Sequence, residues 1–497
     1  MNNREHGRIM VIRLLFFFLS AIITVISGMI LVRKLSLAEY AVYQVINKRF
    51  TLITLGIINV IDIWIFRDVA RLYKKSLLAS IKIGFLSGIL LAILTYLYVN
   101  TINGDSIVGI LSAFAIFIYS LWLVALNVLE ATRPVIVSIH RFVTRSIYVI
   151  SIILLVYILK EGIFGALSSL LMGYFIGVIL AYYWIKKRVD IRLSEVHSTN
   201  IRDLLDKNRI TTGIFRGLIY ILSGLDVIVV LNFIGNIVVS AFFVLKLIHG
   251  IILEAFNSSF RYLQYAGLKG ESASNLISLL KLVLAIVIGP LAFMSIYSTH
   301  VVYLLNPQYE WIAPLIWLIS IQVTMDLLSS GLSNILMGEI RERGSSEALS
   351  LKMYFRARFI VTLSYLCYVI VLVGLDKSNL IAIDRYTFMI LWLLGLLLSS
   401  FGNFISYYAV KWFRSIMPLK TIARNILSYI AMYSVVGLLL SFVIGPRSSP
   451  SVFFWEELSI LISPALIFYI FYLLLIIFFD KDVRNIILGI AKTLMNK

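Results

Sequence analysis

The segment YILSGLDVIVVLNFIGNIVVSAFFVLKLIHG, residues 220–250, is almost entirely apolar, yet it contains Asp226, Lys246 and His249. A charged side chain at the centre of a bilayer costs about 2.5–3.5 kcal/mol on insertion scales. We therefore expect these ionisable groups to face other protein groups or water rather than lipid tails. A turn at Gly235 and Asn236 divides the segment between two predicted membrane helices.

The whole chain has the composition of a polytopic membrane protein. Of its 497 residues, 61% are hydrophobic and 14% are charged, and the mean hydropathy is +0.97. Soluble domains lie far from these values. Runs of roughly 20 apolar residues, the length that crosses a bilayer, recur along the chain. We predict an all-α fold with 14 transmembrane helices, at 11–33, 47–66, 78–99, 106–129, 135–159, 162–185, 210–234, 237–260, 276–304, 310–337, 354–374, 381–410, 421–444 and 457–479.

The placement of basic residues predicts the orientation of these helices. The formal net charge is +19. When residues near the span ends are counted with the adjoining segments, 31 of the 44 Lys and Arg residues fall on one side of the predicted membrane, against 8 on the other. Basic residues concentrate in cytoplasmic loops. Both termini are therefore predicted to be cytoplasmic, in the cytoplasmic membrane. The positive charge then faces the anionic lipid bilayer, and no nucleic-acid partner is expected.

The longest predicted loop divides the chain into halves. It is KKRVDIRLSEVHSTNIRDLLDKNR, and six predicted spans precede it and six follow it before a last pair. The predicted outer loops are short turns. We predict an N-terminal lobe over residues 1–185, a cytoplasmic linker over 186–209, a C-terminal lobe over 210–410, and an extra helix pair with a basic tail over 411–497.

The two halves show a weak internal repeat. When residue 35 is aligned with residue 235, LSLAEYAVYQV (35–45) faces GNIVVSAFFVL (235–245), and each follows the first helix of its half. Both first helices start on the predicted cytoplasmic side. The two six-helix lobes are therefore expected to be parallel, related by a pseudo-two-fold axis along the membrane normal.

Small residues predict where helices approach closely and where one bends. Glycine pairs at spacing four are typical of close helix contact in membranes. Inside the ninth span, Gly289 and Pro290 remove a backbone hydrogen bond, so this pair is a predicted hinge. The glycine pairs are Gly84/Gly88, Gly173/Gly177 and Gly213/Gly217.

The charges of the seventh and eighth spans match in depth. Asp226 and Lys246 each lie about ten residues from the turn, and Arg216 and Glu254 each lie about nineteen residues from it. Two interpretations remain open. In the first, the two ion pairs hold the two helices of a hairpin together. In the second, they line a polar cavity in which a cation exchanges its carboxylate partner for an anionic substrate.

Arg145 is the predicted anion-binding residue of the first half. In RPVIVSIHRFVTRSIYV (133–149), Arg141 and Arg145 lie four residues apart on one helix face. Asp62 is a candidate partner for Arg141, whereas no acidic residue occurs at the predicted depth of Arg145.

Other ionisable residues have different predicted roles. His249 lies one turn beyond Lys246 and shares its face. Asp326, in the tenth span, is either a hydrogen-bonded neutral acid or a site for a coupling cation. Arg49, near the predicted outer end of the second span, is expected to reach the membrane interface.

The sequence RKLSLAEYAVYQV, directly after the first helix, resembles the polysaccharide-type lipid flippases of the multidrug/oligosaccharidyl-lipid/polysaccharide (MOP) superfamily. These proteins often carry a Leu-x-x-x-Glu-Tyr-Gly-x-Tyr signature at this place. The two lobes, the extra helix pair and the short outer loops are similar as well. The matching residues are Leu35, Glu39, Tyr40 and Tyr43, and Ala41 stands where Gly is usual.

The resemblance implies a flippase that moves a lipid-linked oligosaccharide or polysaccharide repeat unit across the membrane by alternating access around a cationic cavity. The substrate is a glycan on a polyprenyl phosphate or diphosphate, and association with a glycan polymerase or glycosyltransferases is open. No cofactor is expected, and coupling to Na⁺ or H⁺ is open. The expected cavity cations are Arg145, Arg216, Lys246, His249 and Arg141, and the candidates for ion pairing or coupling are Asp226, Glu254, Asp62 and Asp326.

Two other functions compete with this one. A cation-coupled drug or metabolite antiporter of the same superfamily is disfavoured only slightly, because the candidate residues inside the spans are five basic ones and four acidic ones, namely Arg141, Arg145, Arg216, Lys246 and Lys281 against Asp62, Asp226, Glu254 and Asp326. A membrane glycosyltransferase or polymerase needs catalytic groups on a structured outer loop, and the predicted outer loops hold only scattered acids. DKD at 480–482 is predicted to be a solvated helix cap, and the single cysteine, Cys367, excludes a multi-cysteine metal site. We therefore predict a transporter, with no enzymatic activity and no metal site.

Overall fold

The computed structural model describes a chain made of helices, and the described residues contain no strand. These residues are 3–58, 60, 74–186, 207–268, 270, 272–340, 345–378, 383–409, 426–444, 448–485 and 487–488. The helices are α1 (Asn3–Lys34), α2 (Leu37–Gln44), α3 (Lys74–Asn103), α4 (Ser106–Thr132), α5 (Pro134–Ile152), α6 (Gly162–Lys186), α7 (Lys207–Phe233), α8 (Asn236–Leu268), α9 (Ala273–Ile296), α10 (Ser298–Leu305), α11 (Ile316–Glu339), α12 (Ser345–Lys377), α13 (Arg385–Ile405), α14 (Ser428–Ile444) and α15 (Phe454–Phe479).

Within the described ranges, ten helical stretches are long and apolar enough to cross a membrane. Two shorter apolar helices accompany them, over Asn236–Leu247 and Ser428–Ile444. The predicted all-α, multi-pass membrane fold is therefore confirmed, whereas the number of fourteen spans stays a prediction. The predicted turn between the seventh and eighth spans is also confirmed, because α7 ends at Phe233, α8 begins at Asn236, and Gly235 has a φ of +115° that favours glycine.

Backbone contacts divide the chain into two compact units. Unit 1 comprises Met1–Leu15, Ala241–Arg341 and Ile383–Lys497, and it contains most of α8 together with α9, α10, α11, α13, α14 and α15. Unit 2 comprises Phe16–Ser240 and Glu342–Ala382, and it contains α2 to α7 and α12. The lobe boundaries predicted from the linker at 186–209 stay a prediction.

In unit 2, α2 begins about ten residues earlier than predicted. The Ser36 hydroxyl accepts the Glu39 N–H at 3.3 Å, and the Glu39 carboxylate accepts the Ser36 N–H at 3.0 Å, which is a capping box. The helix then continues through a π-helical turn, Val45–Phe50, and returns to α geometry over 51–58. Arg49 therefore lies more than three turns inside the helix. The span start predicted at residue 47 lies ten residues too late, so Arg49 is not near the start of its helix.

Glu39 also connects α2 to α6. Its Oε1 accepts the Ile163 N–H at 3.3 Å, at the start of α6, where a carboxylate interacts favourably with the helix dipole. The preceding residue, Gly162, has a φ of +52°, and a Cβ there would lie 2.6 Å from Glu39 Oε1. Tyr40 and Tyr43, which belong to the same signature, are completely buried. These residues therefore have a packing role in unit 2.

The glycines of α7 allow it to touch the helix that follows α2. A Cβ on Gly217 would lie 2.6 Å from the Gly56 carbonyl oxygen, and a Cβ on Gly56 would lie 2.8 Å from the Gly217 carbonyl oxygen. Gly213 packs in the same way against the carbonyl of Val60. The close contact predicted for Gly213 and Gly217 is confirmed, and the partner is the extension of α2.

In unit 1, the glycine of the predicted hinge makes room for a neighbouring helix. α9 remains one continuous helix through Pro290. A Cβ on Gly289 would lie 2.5 Å from the ring of Tyr472 on α15, and the Tyr472 hydroxyl donates to the Ala285 carbonyl at 2.8 Å. Gly289 is therefore a packing contact for α15, and bending at Gly289 and Pro290 stays a prediction.

The segment after α15 is anchored to α9 and α14. Asp480 accepts the N–H of Asp482 at 2.9 Å, which confirms the predicted helix cap. The carboxylate of Asp480 is buried and accepts the Tyr433 hydroxyl at 2.5 Å, so the prediction of a solvated cap was wrong. Asp482 forms a 2.6 Å ion pair with Lys281, whose ammonium lies 3.6 Å from the Tyr429 ring centroid. Tertiary contacts, rather than water, satisfy this cap.

Substituting Gly217→Ala tests the contact between α2 and α7. The added methyl meets backbone oxygen, which cannot rotate away, so we expect a loss of about 1–3 kcal/mol of stability. The control is Gly374→Ala on α12, where a Cβ meets nothing within 4 Å and helix propensity favours alanine. Thermal unfolding of the purified protein in detergent should show a lower Tm for Gly217→Ala only. An unchanged Tm in both variants would contradict the contact.

Candidate functional site

A buried ion pair lies where α2, α7 and α12 meet in unit 2. An Arg49 guanidinium nitrogen lies 3.4 Å from Asp226 Oδ1, and another donates to the Ser223 carbonyl at 2.9 Å. The second carboxylate oxygen, Asp226 Oδ2, accepts the Tyr365 hydroxyl at 2.8 Å. Arg49, Ser223, Asp226 and Tyr365 are called the Arg49 cluster below.

Backbone packing brings the Arg49 cluster together. Gly224 lies against the turn that carries Arg49, since a Cβ there would be 3.3 Å from the Arg49 carbonyl oxygen. α7 also runs beside α12, with the Phe215 and Phe359 ring centroids 5.6 Å apart. This second packing places Tyr365 next to Asp226. The cluster is therefore held by three helices and not by a flexible loop.

The π-helical turn Val45–Phe50 presents a second polar group. Asn47 donates to the Tyr43 hydroxyl at 3.3 Å, and that hydroxyl is hydrogen-bonded to the Tyr148 hydroxyl of α5. Arg145 lies on α5 one turn before Tyr148. Short π-helical turns are frequent at functional sites, because the extra residue redirects the side chains around it.

In unit 1, Lys246 of α8 contacts Gln322 and Phe242. Its ammonium donates to Gln322 Oε1 of α11 at 2.9 Å and lies 5.7 Å from the ring centroid of Phe242. Asp326, one turn beyond Gln322, accepts the Ser400 hydroxyl of α13 at 2.6 Å. Gln322, which accepts from Lys246, and Asp326, which accepts from Ser400, therefore lie one turn apart on the same face of α11.

The remaining predicted cations lie on α5 and α7. Arg216 is buried, and its guanidinium carbon lies 5.9 Å from the ring centroid of Phe355 on α12. Arg141 and Arg145 are half-buried, one turn apart on α5, as their spacing predicts. Each of these basic residues lies within a helix long enough to cross the membrane.

The partner predicted for Asp226 differs from those that the structure shows. Equal depth predicted that Asp226 pairs with Lys246, whereas Asp226 contacts Arg49 and Tyr365, and Lys246 contacts Gln322. Depth along a helix does not determine the direction in which a side chain faces around it. The side chains of His249 and Glu254, and all of Asp62, lie outside the described residues.

Arg49 is the residue that sequence reasoning missed. Its side chain is only 13% exposed, and it is a cation well inside the helix. The S-L-A-E sequence at 36–39 was the available signal, because it is a capping box that predicts a helix start at Leu37. A helix that starts there carries Arg49 more than three turns from its start. Among the described residues, no group of three His, Cys, Asp or Glu side chains is placed to hold a metal ion.

Comparison with known proteins gives matches in structure only. No protein-family model matches the chain, and no curated protein matches it in sequence. Several solved structures do match. The eukaryotic MATE transporter AtDTX14 aligns with a TM-score of 0.60 at 14% identity, over 86% of this chain and 98% of that one.

Two further solved structures are similar to the chain. One is a MOP superfamily transporter from Pyrococcus furiosus, and it is described as having a binding pocket of reversed polarity that suggests a different function. It aligns with a TM-score of 0.53 at 12% identity, over 83% of this chain and 97% of that one. The other is a multidrug resistance MATE family transporter in an outward-facing conformation, with a TM-score of 0.55 at 12% identity, over 83% of this chain and 96% of that one. The described helices therefore have a MATE-like fold.

Substituting Tyr365→Phe tests the hydrogen bonding of Asp226. Removing the hydroxyl leaves Asp226 Oδ2 without its donor, and a buried acceptor left unsatisfied costs about 1–3 kcal/mol. The control is Tyr182→Phe, because the Tyr182 side chain is 49% exposed. Thermal unfolding in detergent should show a lower Tm for Tyr365→Phe and no change for Tyr182→Phe. Equal Tm values for Tyr365→Phe and wild type would contradict the contact.

Proposed function

We propose that this chain is a flippase, a transporter that carries a lipid-linked oligosaccharide or polysaccharide repeat unit across the cytoplasmic membrane by alternating access. The anionic part of such a substrate is the phosphate or diphosphate that joins the glycan to a polyprenyl chain. A hydrocarbon layer does not dissolve this group, so a protein that moves it needs cations inside the membrane.

The observation that carries the proposal is the presence of basic side chains within the apolar helices of a MATE-like fold. Arg145, Arg216 and Lys246 are buried or half-buried, and Arg216 and Lys246 each lie near an aromatic ring. Guanidinium and ammonium groups bind phosphate oxygens through charge-assisted hydrogen bonds. These three residues are the proposed phosphate ligands, and Arg141 and His249 are the further candidates that the sequence predicts.

The comparisons support transport in general, and one of them supports an unusual substrate. The similar structures are transporters. The Pyrococcus furiosus protein is described by a reversed polarity of its binding pocket. Pocket polarity therefore differs among proteins that share this fold, which leaves room for a cationic substrate site in the present chain. The signature at Leu35 to Tyr43 adds the resemblance to the polysaccharide-type flippases.

A cation-coupled drug antiporter is the second candidate. It is favoured by the similarity to a multidrug resistance transporter and by Asp326, a half-buried acid within α11 that a bound cation could neutralise. Coupling to Na⁺ or H⁺ through Asp326 or Asp226 is compatible with both candidates. The chemical class of the substrate separates them, since the flippase takes an anionic lipid and the antiporter an organic cation.

Delivery of lipid-linked sugar in reconstituted vesicles tests the proposal. A fluorescent glycan on undecaprenyl diphosphate is placed in the membrane, and the fraction that becomes accessible to an impermeant glycosidase outside is followed over time. We expect Arg145→Ala and Lys246→Ala each to reduce the initial rate about tenfold or more, because loss of one charged contact to phosphate costs on the order of 1.5–3 kcal/mol. The control is Lys377→Ala, a basic residue exposed at the end of α12.

The outcomes separate the candidate functions. Wild-type rates in both cavity variants would contradict the assignment of Arg145 and Lys246. No delivery by the wild-type protein, together with efflux of the organic cation ethidium from the same vesicles, would replace the flippase with the antiporter.

A further inference from the structure

We propose that Arg49 is an additional anion-binding residue of this transporter and that Asp226 is its resident counter-anion, which the phosphate group of the transported molecule displaces. This inference rests on the proposed function and adds a residue that the sequence had placed at the membrane surface. The ligand chemistry is a phosphate monoester or diester, either on a lipid or free.

The contact between Arg49 and Asp226 has the geometry of a replaceable pair. Charge-assisted N–H···O bonds are typically about 2.7–2.9 Å long. The guanidinium lies 3.4 Å from Asp226 Oδ1, and this buried oxygen accepts no hydrogen bond. A phosphate oxygen that approached to full hydrogen-bonding distance would therefore interact more strongly with the guanidinium than the carboxylate does.

Each member of the pair is anchored independently of the other. Arg49 donates to the Ser223 carbonyl at 2.9 Å, which fixes the plane of the guanidinium through a neutral group. Asp226 accepts the Tyr365 hydroxyl at 2.8 Å through its other oxygen. Separation of Arg49 from Asp226 thus leaves both side chains with a hydrogen bond. The exchange needs no rearrangement of the three helices.

Exposure determines which member a ligand reaches. The Arg49 side chain is 13% exposed, whereas that of Asp226 is 1% exposed. An anion that reaches the pair therefore meets the guanidinium before the carboxylate. A guanidinium presents parallel donors that match two oxygens of a phosphate, so it can bind the ligand by one edge while it keeps its bond to Ser223.

The π-helical turn provides the position from which Arg49 acts. Arg49 and Asn47 belong to the same turn, Val45–Phe50. Asn47 contacts Tyr43, whose hydroxyl is hydrogen-bonded to that of Tyr148, one turn beyond Arg145 on α5. One irregular turn thus connects the Arg49 cluster with Arg145, the proposed phosphate ligand of the first half. A bound phosphate at Arg49 would lie within the same unit as Arg145.

Direct binding of a phosphate probe tests the inference on the full-length protein in detergent. The probe is undecaprenyl phosphate, and its binding is followed by intrinsic tryptophan fluorescence. We expect Arg49→Gln to weaken binding at least tenfold. Asp226→Asn should strengthen it about tenfold, because the competing negative charge is gone while an oxygen remains for the Tyr365 hydroxyl. The matched control is Asp105→Asn, an exposed N-cap of α4 where Asn caps equally well, and its affinity should equal that of wild type.

Additional arms identify the source of the phosphate. Uncharged undecaprenol should bind equally to wild type and Arg49→Gln. Inorganic phosphate should displace undecaprenyl phosphate from the wild-type protein. It should not change the residual binding of undecaprenyl phosphate to Arg49→Gln. This pair of results would support an anion site at Arg49. If Asp226→Asn does not fold, Arg49→Lys replaces it: this variant keeps the charge but not the fork, and should bind between wild type and Arg49→Gln.

Two results would overturn the inference. One is wild-type affinity in Arg49→Gln, and the other is unchanged or weaker binding in a folded Asp226→Asn protein. If delivery of lipid-linked sugar still depends on Arg145 and Lys246 in that case, only the role of Arg49 is lost. If wild type neither binds the probe nor delivers the lipid, the proposed function fails as well.

Discussion

The contact between α7 and the extension of α2 is the constraint on which the Arg49 cluster depends. Helices in a bilayer gain little from the hydrophobic effect, so small residues that let backbones touch determine which helices pair. Gly56 and Gly217 supply this contact, and Gly224 continues it to the turn that carries Arg49. A buried guanidinium and a buried carboxylate are thereby placed on facing helices. Without such an approach each charge would remain in a medium that cannot solvate it.

The residues that resemble a flippase signature are explained here by packing. Glu39 caps its own helix and holds the start of α6, and Tyr40 and Tyr43 are completely buried. The signature residues therefore stabilise the fold, and the structural comparison shows that this fold is MATE-like. Neither identifies the substrate. The chemistry of the substrate is instead inferred from cations within the helices, namely Arg49, Arg145 and Lys246.

Sequence reasoning predicted features that depend on local chemistry. The helical class follows from hydropathy, the turn at Gly235 from the conformational freedom of glycine, and the contact of Gly213 and Gly217 from their spacing. It failed where the outcome depends on rotation around a helix axis. Asp226 and Lys246 match in depth, but the partners of Asp226 are residues 177 positions earlier and 139 positions later in the chain, Arg49 and Tyr365. No pattern within one helix contains that information. The start of α2 could have been predicted from the sequence, because its capping box involves only residues 36–39.

A double-mutant cycle on the Arg49 and Asp226 pair tests the central claim most directly. Arg49→Met and Asp226→Leu are each expected to lower the free energy of unfolding by about 3–5 kcal/mol, because each leaves the other charge buried without its partner. The doubly substituted protein carries no buried charge at this position, so it should be more stable than either single variant. Thermal or chemical unfolding in detergent measures all four proteins. Additive losses in the double variant would show that the two side chains do not interact, and would contradict the account.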